Sequence, residues 1–190
     1  KISSEGFKIT CLRFATACGA SPRLRLDLVL NDFVASAVLT NKIEILSDGT
    51  PWRPIIDVKD MSKAIEWAIT ERNNNPSNNF IALNIGSNEW NFTIKELADE
   101  VGKIIKGTKI SINKNAQPDK RSYKVDFSLY YNLAKNFYPK RKIETTVSEL
   151  IDNIDSIIIY KNFRNSQYIR LVHLKKLIDS KIITKELKFL

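Results

Sequence analysis

The pattern of apolar and polar positions predicts short strands with helices between them. Residues 7–14, FKITCLRF, alternate in polarity and include β-branched side chains, which is typical of a strand that leads into a loop. Shorter strands are predicted at 43–46, 54–58 and 109–113. The nearly continuous apolar run FIALNIG at 80–86 predicts a strand of a parallel sheet that is covered by helices on both faces.

Apolar residues at helical spacing fill the segments between the first strands. One stripe covers residues 26–38 and stops before Asn41, which is expected to end the helix. A second stripe covers residues 61–69, and either Asp57 or Asp60 can cap its first turn. The segments between 7 and 86 therefore alternate between strand and helix.

Two capping boxes indicate where later helices begin. Thr93 is followed at the required spacing by Glu96, and Thr146 by Glu149, each ahead of an apolar stripe. A basic amphipathic helix is predicted over residues 168–180. The repeated order of strand and helix argues for an α/β fold.

Composition places the chain among globular proteins. It has 190 residues, of which 43% are hydrophobic and 27% charged. No apolar run approaches the roughly 20 residues that cross a bilayer, and the first residues lack a signal sequence, so we expect a cytoplasmic protein. Cys11 and Cys18 form no metal-like cluster, and we expect two reduced thiols, no metal site and no cysteine nucleophile.

The net charge of +9 is concentrated in two stretches. Residues 103–142 contain eleven Lys and Arg against only Asp119 and Asp126, and eight more basic residues lie from Lys161 onward. Such a stretch is a solvated face, a phosphate site or a nucleic-acid site. The charge alone leaves these three alternatives open.

A dinucleotide-binding α/β protein carries a glycine-rich turn after its first strand, and this sequence contains no GxGxxG, GxxGxxG or GxxxxGK[ST]. It also begins without Met. Either the protein binds no dinucleotide, or the sequence is the C-terminal portion of a longer chain.

Five stretches favour the second alternative. They are LRFATACG at 12–19, SPRLRLDLVLN at 21–31, DGTPWRPIIDVKDMSKAI at 48–65, NIGSNEWNFTIKELADEV at 84–101 and PDKRSYKVDFS at 118–128. In this order and spacing they resemble the C-terminal half of the extended short-chain dehydrogenases, the NAD-dependent sugar-nucleotide epimerase and dehydratase family. The resemblance covers most of residues 7–155.

The resemblance implies a fold in which late elements of an NAD-binding Rossmann sheet alternate with a small mixed α/β substrate-binding domain, the N-terminal Rossmann part being absent. Residues 7–20 and 57–86 would be the Rossmann elements, and residues 21–56 and 87–160 the substrate-binding part. Residues 161–190 would form a basic helical tail.

In this family a Tyr-x-x-x-Lys pair upstream of the first of these strands transfers the proton. The tyrosines here, including Tyr123, Tyr130 and Tyr131, do not stand in a matching context, and we predict no catalytic residue in this sequence. The whole enzyme would be a homodimer that uses NAD rather than NADP, whereas the 190 residues alone would be inactive.

The resemblance also assigns binding residues around the loop after strand 7–14. Phe14 and Ala17 would face the cofactor. Thr16 stands where many members carry an Asn that contacts the nucleotide sugar. Further substrate contacts are expected at four positions of the following loop and helix start: Arg23, Arg25, Leu28 and Asn31.

Two arginines are expected to hold the diphosphate of a nucleotide sugar. Arg53, between Trp52 and Pro54, occupies the position of the family's phosphate-binding Arg, and Arg121 resembles the second one. A guanidinium is always charged and binds phosphate oxygens bidentately, which a lysine cannot do. For Arg53 the alternative is a surface ion pair with Asp57 or Asp60.

The sequence therefore favours the substrate-binding part of an NAD-dependent nucleotide-sugar epimerase or dehydratase. The alternative is a basic module that binds nucleic acid without catalysis. The basic stretches lack aromatic residues at stacking spacing and contain no RNA- or DNA-binding motif, which argues against it.

Overall fold

The computed structural model describes residues 7–72, 79–116, 122–155 and 162–190, and within these ranges strands and helices alternate. The strands are β1 (Ile9–Phe14), β2 (Thr16–Cys18), β3 (Lys42–Ile45), β4 (Trp52–Asp57), β5 (Phe80–Ile85), β6 (Asn91–Thr93) and β7 (Lys109–Ile112). The helices are α1 (Val29–Thr40), α2 (Val58–Thr70), α3 (Ile94–Ile104), α4 (Ser128–Ala134), α5 (Ile143–Asp155) and α6 (Arg170–Asp179). The predicted α/β class is confirmed.

The strands form small, mainly parallel sheets. β1 pairs with β5, β2 with β4 and β3 with β7, all in parallel, whereas β6 joins the other edge of β4 in antiparallel. Parallel strands need crossover connections, and the helices between them provide these. β4 is the central strand of its sheet, with β2 on one side and β6 on the other.

β4 also separates two hydrophobic cores. Successive strand residues face opposite sides; accordingly, Ile55 lies in the first core and Ile56 in the second. The first core packs α1, α3 and α5 against β3, and the second packs α2 and α4 against β5. Each side of β4 is thus fixed by different helices.

Local signals explain several helix ends. Asp57 caps α2 by accepting a hydrogen bond from the Lys59 amide at 2.8 Å, which decides between the two predicted caps. Asn41 ends α1 in the left-handed conformation, with φ of 53°. The predicted capping box of Thr93 and Glu96 is present at the start of α3.

Two predicted helix starts are wrong. α1 begins at Val29, since the residue before it, Leu28, has extended backbone, and the Leu26 amide donates to the Tyr168 carbonyl at 3.0 Å. α5 begins at Ile143, so Thr146 is not a cap. Its buried hydroxyl donates to the Asp57 carboxylate at 2.5 Å, an interaction between segments that a local motif cannot reveal.

The expected coverage of 80–86 on both faces is also wrong for the described residues. Leu83 and Ile85 are buried in the second core, whereas Phe80 is 55% exposed and Ala82 and Asn84 are only half-buried. On α2 the predicted stripe is shifted, since Asp60, Ala64 and Trp67 are buried whereas Ile65 and Ile69 are exposed. The predicted basic helix at 168–180 is confirmed as α6.

Candidate functional site

An open cavity of about 570 Å³ lies where four segments meet. Its walls come from the start of β2, the N-terminal end of α1, the first half of β4 and the segment before α6. The lining residues are Thr16, Asp27, Leu28, Val29, Asp32, Phe33, Arg53, Arg164 and Ile169. Four of the nine are charged, so the cavity is suited to a polar or ionic ligand.

The N-terminal end of α1 opens into this cavity. Leu28 precedes the helix with extended backbone, and its side chain makes no capping hydrogen bond. The first amides of a helix have no intrahelical acceptor and carry partial positive charge. Leu28 and Val29 therefore bring to the cavity wall a helix end of the kind that binds anions.

Arg53 is held on β4 by contacts with its neighbours. Its Nη1 donates to the Trp52 carbonyl at 2.8 Å, and its guanidinium carbon lies 5.9 Å from the centre of the Tyr123 ring. Its backbone pairs with Phe92 of β6. These contacts restrict a long side chain and place its charge beside the end of α1.

The segment 122–125 supports the same end of β4. The Trp52 amide donates to the Ser122 hydroxyl at 3.0 Å, and the Lys124 ammonium lies 3.8 Å from the centre of the Trp52 ring. Arg121, the residue before this segment, lies outside the described residues, and its predicted role stays a prediction.

Asp57 and Asp60, the alternative partners of Arg53, are engaged elsewhere. Both are 1% exposed. Asp57 binds Arg141 Nε at 3.3 Å in addition to the Thr146 hydroxyl, and Asp60 accepts from the Arg141 amide at 3.1 Å. This buried cluster joins α2 to the start of α5, away from the cavity lining.

Each carboxylate that lines the cavity is paired with an arginine. Arg25 binds Asp27 through Nε at 3.0 Å and Nη2 at 2.9 Å. Burial raises the pKa of Asp27, but the hydrogen bond and charge of Arg25 outweigh it, so the pKa is lowered. Asp32 is paired with Arg164, yet burial dominates there and raises the pKa of its carboxyl.

The structure brings three of the predicted site residues together in the cavity, namely Thr16, Leu28 and Arg53. Arg23 and Arg25 lie elsewhere, in a smaller pocket of about 200 Å³ that also includes Arg170 and His173. The contacts of all five predicted residues with a ligand stay predictions.

Asn31 does not line the cavity. It is 1% exposed and accepts a hydrogen bond from the Gly19 amide at 2.9 Å, while its Nδ2 donates to the Arg25 carbonyl at 2.9 Å. Gly19 has φ of 98°, and an added Cβ would lie 3.0 Å from Asp57 Oδ2. Asn31 therefore fixes the loop ahead of α1 from beneath.

The predicted cofactor contacts lie on the neighbouring strands. Phe14 ends β1, and Ala17 in β2 pairs with Ile56 of β4. Phe14 is half-buried against the second core. Only Ala17 thus lies on a strand that pairs with β4, whereas Phe14 pairs with Ile85 of β5, and the contact of both residues with a cofactor stays a prediction.

Sequence reasoning missed the other six lining residues, which are Asp27, Val29, Asp32, Phe33, Arg164 and Ile169. Asp32 is an acidic residue in the first turn of an otherwise apolar helix, which was the one available signal. Arg164 and Ile169 lie more than 130 residues further along, outside the motifs that carried the resemblance. No local pattern connects them with α1.

Two tyrosines, Tyr131 and Tyr138, have the Tyr-x-x-x-Lys spacing, with a lysine four residues later. The two rings pack edge to face with centres 4.8 Å apart. Neither lines the cavity. The prediction of no catalytic residue stays a prediction.

In the described parts of the chain, no group of three metal-ligating side chains lies together. Over the same residues, no helix has the length and apolar character that crossing a membrane requires.

Residues 2–86 match the model of the NAD dependent epimerase/dehydratase family. This stretch includes Thr16, Leu28 and Arg53, three of the residues that line the cavity. The resemblance stated from sequence motifs is thereby confirmed.

Solved structures of similar fold include several enzymes of this kind. The structure of MoeE5 in complex with UDP-glucose and NAD is 20% identical with a TM-score of 0.62, covering 79% of this chain and 48% of MoeE5. UDP-glucuronic acid 4-epimerase from Bacillus cereus, in complex with UDP-glucuronic acid and NAD, is 21% identical with a TM-score of 0.60, covering 77% and 45%.

A third similar structure is the UDP-glucose 4-epimerase from Thermotoga maritima with UDP-glucose, which is 20% identical with a TM-score of 0.62 and covers 80% of this chain and 48% of its own. At these identities the comparisons establish the shared fold. The chain spans about half the length of the structures it matches.

Proposed function

We propose that this chain, whose residues 2–86 belong to the NAD dependent epimerase/dehydratase family, forms the substrate-binding part of a nucleotide-sugar epimerase or dehydratase. The observation that carries the proposal is the position of Arg53, which lines a cavity of about 570 Å³ together with the N-terminal end of α1. A cation and the N-terminal end of a helix that line one cavity suit a diphosphate.

The cavity residues would anchor the ligand through its phosphates. Arg53 would provide two parallel N–H donors to phosphate oxygens, and the first amides of α1, next to Leu28, would add neutral donors. Thr16, at the start of β2, would donate its hydroxyl on the sugar side. Fixing the diphosphate in this way holds the sugar in one orientation, which is the contribution that binding makes to catalysis.

NAD is the proposed cofactor, as it is in the MoeE5 and Bacillus cereus complexes. When bound, NAD supplies hydride chemistry at the sugar. The residues of this chain fit only part of such a site, since the sequence has no glycine-rich pyrophosphate turn. Phe14, at the end of β1, and Ala17, in β2, would contact the nicotinamide end.

Direct binding measurements test the proposal. Isothermal titration calorimetry of the whole protein with UDP-glucose, UDP-glucuronic acid and dTDP-glucose should detect binding of at least one, and competition by the matching nucleoside diphosphate should show that the phosphates contribute. Absence of binding by all three, with NAD present, would contradict the proposed substrate class.

We further propose that residues 1–190 bind and do not turn over a substrate by themselves. The tyrosines of the described residues do not line the cavity, so they are not in position to exchange a proton with a sugar there. The purified 190-residue chain, given NAD and a nucleotide sugar, should form no epimer or dehydration product detectable by NMR. Product formation would overturn this part of the proposal.

A further inference from the structure

Two carboxylates stand in the wall of the cavity proposed to hold a diphosphate. Asp27 and Asp32 both line it, together with Arg53. A carboxylate repels phosphate, and the repulsion grows where burial lowers the effective dielectric constant. Asp32 is the more serious case, because only 18% of its side chain is exposed.

The charge of Asp32 is balanced from a distant part of the chain. Arg164 Nη1 lies 2.9 Å from Asp32 Oδ1, and Arg164 Nη2 lies 3.1 Å from Oδ2, so the pair is bidentate. Nη2 also donates to the Ser36 hydroxyl at 3.1 Å, one turn further along α1. Asp27, by contrast, finds Arg25 two residues away.

The segment around Arg164 is anchored in a way that fixes this pair. Phe163 is 3% exposed in the first core, and the Arg164 guanidinium lies 5.1 Å from the centre of its ring. The Ser166 hydroxyl donates to the Phe163 carbonyl at 2.5 Å, and the Tyr168 carbonyl accepts from the Leu26 amide. Packing and backbone bonds therefore hold the guanidinium over α1.

We infer that Arg164 is a positioning residue that neutralises Asp32, so that the cavity accepts the diphosphate of a nucleotide sugar. The inference rests on the proposed function of this cavity. With both acids paired, Arg53 and the helix end dominate the field that a ligand meets. Without Arg164, a fixed negative charge would remain in the wall close to the phosphate position.

A double-mutant cycle distinguishes neutralisation of Asp32 by Arg164 from a purely structural role of Arg164 in anchoring the C-terminal segment. In the whole protein, Arg164→Ala should weaken UDP-glucose binding at least about tenfold, because it leaves a half-buried carboxylate unpaired. Asp32→Asn alone should not weaken binding and is expected to strengthen it, because it removes a negative charge and leaves the Arg164 cation in the cavity wall. The double variant should recover most of the lost affinity, since it removes the repelling charge as well as its partner.

Two further variants and thermal melts test whether a loss of binding comes from a change in net charge or from a disturbed fold, and not from an unpaired Asp32. Arg164→Lys retains the cation and should bind within a few-fold of the wild type. Lys175→Ala removes one exposed positive charge from α6, in the same C-terminal segment, and should leave affinity unchanged. Calorimetry with UDP-glucose and with inorganic pyrophosphate, after thermal melts of every variant, provides the measurement.

Each outcome decides the matter. Recovery by Asp32→Asn in the Arg164→Ala background supports the inference. Wild-type affinity in Arg164→Ala, or a loss that Asp32→Asn does not recover in proteins that melt normally, overturns it while leaving the proposed function intact. If the wild type binds neither probe, the proposed function fails and this inference fails with it.

Discussion

Arg53 shows how much of a site residue's role depends on its immediate neighbours. Trp52 fixes its guanidinium through a carbonyl at 2.8 Å, and Tyr123 covers one side of it. These contacts leave the side chain at the cavity wall, whereas the acidic residues four and seven positions later are buried with Arg141. Position on β4, more than charge, makes Arg53 the candidate anchor.

Substitution of Arg53 tests this role. In the whole protein, Arg53→Lys keeps the charge but loses the bidentate geometry, so nucleotide-sugar binding should weaken by about 1–3 kcal/mol. Arg53→Ala should cost at least as much. NAD affinity should barely change, because the proposed nicotinamide contacts lie on β1 and β2. Calorimetry with both ligands measures the two effects separately.

The matched control is Arg13→Ala, which removes an exposed arginine of β1 outside the cavity. It should leave nucleotide-sugar affinity unchanged. Equal losses for NAD and nucleotide sugar in Arg53→Ala would show that the residue supports the fold, and no loss for either ligand would show that it is a surface charge.

Sequence reasoning found three cavity residues within the family motifs, but it missed Asp27 and Val29 in the same motifs and every lining residue outside them. Arg53, Thr16 and Leu28 occur in motifs with fixed spacing, so a single sequence was sufficient to select them. Arg164 lies 132 residues beyond Asp32, and the packing of Phe163 together with the backbone hydrogen bond from Leu26 to Tyr168 brings the two together. A contact of this kind leaves no trace in local periodicity.

At the level of elements, one sequence motif has two different outcomes. Thr93-x-x-Glu96 forms a capping box, with the Glu96 amide donating to the Thr93 hydroxyl at 3.1 Å and the Thr93 amide to Glu96 at 2.8 Å. Thr146-x-x-Glu149 has the same spacing, yet Thr146 lies inside α5 and its hydroxyl donates to the buried Asp57 carboxylate. The hydrogen bond to a buried carboxylate therefore decides the role of Thr146, although the local sequence predicts a helix cap.

The capping box at α3 yields a stability prediction. Thr93→Ala removes the hydroxyl acceptor and should lower the free energy of unfolding by about 1 kcal/mol. Thr145→Ala, at an exposed position inside α5, is the control and should cause no loss, because alanine is the better helix former. Urea unfolding monitored by circular dichroism compares the two, and equal stability of Thr93→Ala and wild type would contradict the capping role.

The same box predicts a pH dependence of definite sign. Hydrogen bonds from the Thr93 amide and hydroxyl lower the pKa of Glu96 below its ordinary value of 4.5. A carboxyl with a lowered folded-state pKa stabilises the fold above its unfolded value and loses that contribution as the pH falls through the folded one. The destabilisation caused by Thr93→Ala should therefore be larger at pH 7 than at a pH below the folded-state pKa of Glu96.

At the scale of the whole molecule, alternation of strand and helix was predictable, whereas the arrangement of the described strands in three small sheets was not. Periodicity identifies β4 as extended but says nothing about its position between β2 and β6 or between two cores. Periodicity likewise does not reveal that Ile65 and Ile69 on α2 are exposed. Which face of a helix is covered depends on neighbours that are distant in sequence.

The distribution of the +9 net charge bears on the alternative of nucleic-acid binding. Several cations at the cavity and beside it are already paired with carboxylates, as in Arg25–Asp27 and Arg164–Asp32. Two aromatic rings beside these cations are closed to a base, because Lys124 lies over Trp52 and Phe163 is buried in the first core beneath Arg164. Base stacking needs open rings beside the positive charge.

We therefore expect weak, salt-sensitive binding of nucleic acid. Fluorescence anisotropy with a short duplex and a single strand should give dissociation constants above about 1 µM at ~0.15 M salt. The affinity should fall steeply as the salt concentration is raised, because only counterion release drives the contact. Nucleotide-sugar binding should lose far less over the same range, since a bidentate contact in a cavity depends less on counterions. Sub-micromolar binding of a strand that displaces UDP-glucose would instead assign the basic surface and the cavity to nucleic acid.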